Sequence, residues 1–255
     1  MQTNLLHVYS RYSRQRSHGI RTKSPWTKSP RTQSLRYRIS CSISCSRPRT
    51  LVDVRQSSSA GRLTFGCINI CSLNNKVDDL LEVRRDLKID VLCLAETWHD
   101  QDSICFRRLR SDGYQIVDRP RPRLPSESST MSINHGGVAI VAVPGVHLSA
   151  ITLDFEPYSF ELVCARIAVE SFSCIIAVIY RRGSVAVTST FFDDLSELLN
   201  RAVSYRDPIY IVGDVNVRSD RADDPDARRL TELFSVYDFA ICVAWWSAGR
   251  CRNSL

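Results

Sequence analysis

Asp214 and Asn216 close the string Ile209-Tyr210-Ile211-Val212-Gly213-Asp214-Val215-Asn216, an apolar run that ends on a carboxylate and an amide two residues apart. On an extended chain, residues i and i+2 share a face, so both groups look at one spot at the mouth of a buried strand. A second run, Asp90-Val91-Leu92-Cys93-Leu94-Ala95, delivers Glu96-Thr97-Trp98 in the same way. Asn69 ends an earlier apolar run, and Tyr180 ends Ile175-Ile176-Ala177-Val178-Ile179. Two carboxylates, two amides and a phenol at strand ends suit a hard cation acting on a phosphate ester. Such chemistry must neutralise the phosphate, activate a water and stabilise the leaving oxygen. Mg²⁺ takes few carboxylates and keeps several waters, with Mn²⁺ as the alternative ion.

Each of these residues also has a plainer use. Asp and Asn favour turns and helix caps, which would account for Asp214 and Asn216. Asn69 reads equally well as a turn residue, with Ser72 the natural cap of the following segment. Tyr180 alone is a strand-end aromatic, and Glu96 a surface carboxylate. His135, before Gly136 and Gly137, reads as a loop residue, and Arg107-Arg108-Leu109-Arg110 as a solvated helix face or a backbone-contact patch.

The elements that must position these groups alternate in type. Strands are expected over Leu63–Ile70, Asp90–Ala95, Tyr114–Asp118, Val138–Val143, Phe160–Val169, Cys174–Tyr180 and Ile209–Val212. Helices are expected over Val77–Leu87, Asp102–Arg110, Phe191–Val203 and Ala227–Phe234, with a last apolar piece at Phe239–Ala244. Arg119–Asn134 is a Pro/Arg/Ser loop. Helices separate strands early and late, while strands follow one another directly in the middle. That order predicts an α/β fold of two packed mixed sheets with helices outside.

The 255 residues are 44% hydrophobic and 24% charged, the composition of a globular domain. No apolar stretch approaches a membrane span, so no membrane partner is expected. The net charge of +7 is uneven: residues 1–50 hold 11 Lys/Arg and no acid, leaving 23 basic and 27 acidic residues in 51–255. The expected organisation is a disordered basic Ser/Arg-rich leader over residues 1–60, a folded body over 61–244 and an atypical tail over 245–255. The leader could neutralise nucleic-acid phosphates. The ten scattered cysteines form no zinc motif, which favours a reducing, nuclear or cytoplasmic setting over a mitochondrial one.

Five short strings stand in a telling order: Asn69-Ile70-Cys71-Ser72, Cys93-Leu94-Ala95-Glu96-Thr97-Trp98, His135-Gly136-Gly137-Val138-Ala139-Ile140, Tyr180-Arg181 and Gly213-Asp214-Val215-Asn216. Together they resemble the endonuclease/exonuclease/phosphatase superfamily, and within it the apurinic-endonuclease-like domain of LINE-like non-LTR retrotransposons, over roughly residues 63–240. The resemblance implies a four-layer α-β-β-α sandwich and Mg²⁺-dependent nicking of DNA. It implies Glu96 as the main metal ligand with Asn69 in support, Asp214 on the attacking water, Asn216 on the phosphate, and Tyr180 on the phosphate or leaving group. The sequence also departs from the pattern. Tyr180-Arg181 runs into Arg182-Gly183 where Pro-Pro is usual, and Arg218 stands where a His is common. No Ser-Asp-His string occurs, so the last strands are expected to be missing and activity to be weak or absent. The alternatives are a non-enzymatic nucleic-acid-binding remnant and a phosphatase of the same superfamily.

Overall fold

The computed structural model describes residues 7–10, 63–122, 135–170, 172–218, 221 and 223–243. For the two terminal strands, His7–Ser10 and Ala240–Val243, only the backbone is described. In chain order the elements are β1 (His7–Ser10), β2 (Phe65–Asn69), α1 (Val77–Asp86), β3 (Val91–Ala95), α2 (Ile104–Ser111), β4 (Gln115–Arg119), β5 (Val138–Ala142), β6 (His147–Ile151), β7 (Glu161–Val169), β8 (Phe172–Tyr180), α3 (Ser189–Ala202), β9 (Ile209–Asp214), α4 (Pro225–Val236) and β10 (Ala240–Val243).

The strands form two mixed sheets, ordered β10-β1-β9-β8-β7-β6 and β2-β3-β5-β4. Each sheet holds one parallel pair, and each pair is joined by a helix. β2 and β3 are connected through α1, and β8 and β9 through α3. Parallel neighbours need such a crossover, whereas antiparallel β8 begins at Phe172 just after β7 ends at Val169. The consequence for the site is direct. In register, β2 ends on Asn69 beside Ala95, the residue before Glu96, and β8 ends on Tyr180 beside Asp214.

Period-two alternation divides the apolar residues among three layers. Cys67, Cys93, Ile140 and Ala142 from one sheet face Ala165, Ile176, Val178 and Val212 from the other, filling the space between sheets. The opposite faces are covered by helices. Ile68, Leu92, Leu94 and Val141 pack on α1 and α2 through Leu80, Phe106 and Leu109. Ile175, Ala177, Ile179 and Ile211 pack on α3 and α4 through Phe191, Leu195, Leu230 and Phe234. The result is the four-layer α-β-β-α sandwich. Strands buried on both faces are continuously apolar rather than alternating, as the fully buried β3, β5 and β9 show.

Local chemistry sets the helix starts. Asp224 caps α4 by accepting from the backbone N–H groups of Asp226 and Ala227, at 2.9 and 3.3 Å, with Pro225 at the first helical position. Ser103 caps α2 through Phe106 N. Ser72 does not cap α1: its hydroxyl accepts from Asn74 N at 3.2 Å in a turn before the helix, and Lys76 holds the cap position.

Two strands escaped the sequence reading. β6 pairs with β7 at the sheet edge, and only Leu148 within it is buried, so it carries almost no apolar pattern. β1 lies within residues 1–60 and pairs antiparallel with both β9 and β10. The remainder of residues 1–60 and all of 245–255 lie outside the described residues, as does the Arg119–Asn134 loop beyond Pro122.

Candidate active site

The strand ends converge on one amide. Asn69 Nδ2 donates to Glu96 Oε1 at 2.8 Å and to Asp214 Oδ2 at 3.1 Å. The two carboxylates therefore lie on the same side of the sandwich, less than two hydrogen-bond lengths apart, although they come from different sheets. Asp214 is fully buried, and its Oδ1 accepts from the backbone N–H of Asn216 at 3.1 Å. The Tyr180 phenol is hydrogen-bonded to Glu96. Burial first, and then the Glu96 carboxylate, push that phenol well above its ordinary pKa, so it remains a protonated donor. Asn216 stands at the rim, with Nδ2 donating to the carbonyl of Arg181 at 2.6 Å. All five residues singled out from the sequence thus gather at one edge.

Their backbones are strained where the side chains matter. Glu96, Trp98 and Asn216 have φ of 53, 52 and 50°, a left-handed conformation that costs a non-glycine residue of order 1 kcal/mol. Main-chain bonds hold the Glu96 turn: Ser72 N donates to Glu96 O at 2.8 Å, Leu73 N to Thr97 O at 2.9 Å and Trp98 N to Gly136 O at 2.7 Å. Gly137 must be glycine here. Its φ is +85°, and a β-carbon would sit 2.6 Å from Thr97 Oγ1.

Beneath this turn runs a buried polar chain that the sequence reading missed. Thr97 Oγ1 lies 2.6 Å from His99 Nδ1, and His99 Nε2 lies 3.1 Å from Asp118 Oδ2. Arg110 Nη2 donates to Asp118 Oδ1 at 2.5 Å. Which ring nitrogen of His99 carries a proton sets the donor and acceptor roles along this chain. The available signal was the Thr97-x-His99 spacing on a strand end. His135, the histidine that was considered, is exposed with its ring 4.3 Å edge-on to Trp98.

Arg181 was read only as part of a motif, yet it stitches the second half of the site together. It is 3% exposed. Its Nε donates to Val215 O at 2.6 Å, its Nη2 to Asn216 O at 2.8 Å, and its Nη1 to Val185 O at 2.6 Å and Arg182 O at 3.3 Å. With the return bond from Asn216 Nδ2, the loops after β8 and β9 become one unit. On the other flank, Arg121 is paired to Glu161, and its guanidinium lies 5.8 Å over the Tyr180 ring. Glu161 Oε2 accepts from Gly137 N at 2.5 Å. Burial raises the Glu161 carboxyl, and Arg121 opposes the rise.

The donor set fits a hard divalent ion. Two carboxylates and an amide are oxygen donors of the kind Mg²⁺ uses while retaining water, once Asn69 turns its Oδ1 inward in place of Nδ2. Both carboxylates already converge on one donor, the Asn69 amide N–H pair. Cys71 is no competing ligand at neutral pH, because burial and then Glu96 push its thiol up to about 11. Among the described residues no group of three or more His, Cys, Asp or Glu side chains is placed to hold a metal, so a closed structural site of the zinc kind is not what these residues form.

A sequence profile of the endonuclease/exonuclease/phosphatase family matches residues 66–253. The chain belongs to that family. The match takes in all five motif residues, from Asn69 to Asn216. No curated protein sequence matches it. Among solved structures, the chain is similar to the human Nocturnin catalytic domain, at 18% identity and a TM-score of 0.47, covering 64% of this chain and 66% of that one. It is similar to the 3′-5′ exonuclease NExo of Neisseria meningitidis, at 20% and 0.48, covering 68% and 70%. It is also similar to the endonuclease domain of TRAS1, a telomere-specific non-LTR retrotransposon, at 12% and 0.48, covering 67% and 70%. The chain therefore spans about two thirds of the length of these structures.

Proposed function

We propose that this chain is the metal-dependent endonuclease domain of a non-LTR retrotransposon, nicking one strand of target DNA by hydrolysis of a phosphodiester. The observation that carries the reading is the convergence of Glu96 and Asp214, from two sheets, on Asn69 at 2.8 and 3.1 Å. Glu96 and Asn69 would hold Mg²⁺, or Mn²⁺ in its place. When bound, the ion supplies charge neutralisation for the phosphate and the leaving oxygen.

The residues of the chain do the rest. Asp214, buried and fixed by the Asn216 N–H, orients the attacking water and accepts its proton. Asn216, whose Nδ2 has one N–H committed to Arg181 O, offers the other to a non-bridging phosphate oxygen. Tyr180, held protonated, donates to the phosphate or the leaving group.

Nicking of supercoiled plasmid tests this. Relaxed circles are expected with Mg²⁺ and not with EDTA, and Glu96→Ala lowers the rate roughly 100-fold or more. Nicking that is indifferent to Glu96→Ala would refute the assignment. Stable retention on DNA with no nick under any divalent ion would favour the second reading, a nucleic-acid-binding remnant served by the 11 basic residues of positions 1–50.

A further inference from the structure

We propose that Arg182 and Arg218 form a two-cation clamp on the DNA phosphates flanking the one that is cut. This rests on the nicking reading and names residues that reading does not use. The inner groups, Asn69, Glu96, Tyr180, Asp214 and Asn216, are all acidic or neutral, so nothing among them faces a polyanion. The nearest cations are already committed. Lys76 Nζ donates to the carbonyls of Ile70 and Cys71 at 2.7 and 2.8 Å, Arg121 is held by Glu161, and Arg181 is spent on backbone carbonyls.

Arg182 and Arg218 differ from these. Both are exposed, and among the described residues neither side chain forms a hydrogen bond or a close ion pair; Arg182 only lends its charge to Glu161, whose direct partner is Arg121. Some arginines elsewhere on the body are paired, such as Arg108 with Asp78, Arg166 with Asp207 and Arg201 with Asp154; what sets Arg182 and Arg218 apart is their place on the two loops that Arg181 ties together. Both side chains leave these loops on either side of Asn216. Arg182 directly follows Arg181 and precedes Gly183, where a β-carbon would stand 2.8 Å from Asn216 Oδ1. Arg218 is two residues beyond Asn216, and its carbonyl accepts from Arg221 N at 3.0 Å. Residues 51–255 carry 27 acids against 23 bases, so two exposed guanidinium groups beside the site run against the overall charge of that stretch. A guanidinium presents a planar fork that fits a phosphate at two points.

The test is equilibrium binding of a short labelled duplex in EDTA, where no cleavage occurs, across roughly 50–200 mM salt. Each lost phosphate contact removes about 0.9 from the slope of log K against log salt, so Arg182→Ala with Arg218→Ala reduces that slope by about 2 and weakens binding roughly tenfold or more at low salt. The charge-matched control, Lys88→Ala with Arg206→Ala, keeps the wild-type slope, because these exposed residues precede β3 and β9 at the far ends of those strands. Wild-type-like slope and affinity in the Arg182/Arg218 double variant, alongside clear DNA binding by the wild type, overturn the clamp alone. Failure of the wild type to bind duplex at all overturns the nicking reading and the clamp with it. Thermal melts matched to wild type confirm that the variants are folded.

Discussion

One side chain, Arg181, accounts for much of the precision of the second half of the site. A buried guanidinium without a hydrogen-bonded carboxylate is costly, and its burial lowers its pKa. It persists because four carbonyl oxygens from two loops accept its protons. Arg181→Met leaves those carbonyls unpaired in the interior, which destabilises the fold by about 2–4 kcal/mol in a urea titration. Arg181→Lys recovers only part of that loss, since one ammonium cannot span acceptors that a planar fork reaches separately. Equal stability of Met and Lys variants with wild type would mean that the loops hold themselves. Asp118 gives a second residue-level expectation. Burial alone would raise its carboxyl, but the hydrogen bond and charge of His99 and then the Arg110 guanidinium outweigh it, and the pKa lies below the ordinary aspartate value. A lowered folded-state value stabilises the fold at pH above the unfolded value, about 3.9, and that contribution fades as pH falls through the folded value. Asp118→Asn is therefore less stable than wild type at neutral pH, and the gap narrows as unfolding is measured at pH values below about 4. A gap constant from neutral to acid pH would contradict the mechanism.

At the scale of elements, the two helix-linked parallel pairs, β2-α1-β3 and β8-α3-β9, carry the site, and their close packing is set by particular residues. Gly213 lies in β9 with φ of +138°, and a β-carbon there would run into the carbonyl oxygen of its neighbour Ile179. Gly145, in the turn between β5 and β6, has φ of +92° but open space around it. Gly213→Ala is expected to cost several kcal/mol, because the β8–β9 ladder must part, whereas Gly145→Ala costs only the left-handed backbone term of about 1 kcal/mol. Chemical denaturation of the two variants side by side checks the difference, and equal losses would show that the ladder relaxes freely around Gly213.

For the molecule as a whole, each sheet has both faces covered, so the three apolar layers share strands and cannot melt independently. Leu80 of α1 is 1% exposed and Leu195 of α3 is 0% exposed, at opposite outer faces of the sandwich. Leu80→Ala and Leu195→Ala should each lower stability by about 2–5 kcal/mol within one transition, the same by fluorescence and by circular dichroism. Two resolved transitions, with each variant shifting a different one, would show that the sheets fold as separate units.

Most of the strand and helix order, the two-sheet architecture and the place of Asn69, Glu96, Tyr180, Asp214 and Asn216 at or just past strand ends were legible in the 255 residues alone. Buried strands must be apolar and must place their polar ends where backbone pairing stops, and both demands leave a local signature. β6 left none, because an edge strand with a single buried residue needs no pattern. The supports of the site were equally silent. That Asn69 touches Asp214, 145 positions away, that Thr97, His99 and Asp118 form one buried chain, and that Arg181 serves two loops all depend on packing between distant segments. Local propensity fixes which way a side chain leaves its strand, but only the closing of one sheet over the other decides which group it meets.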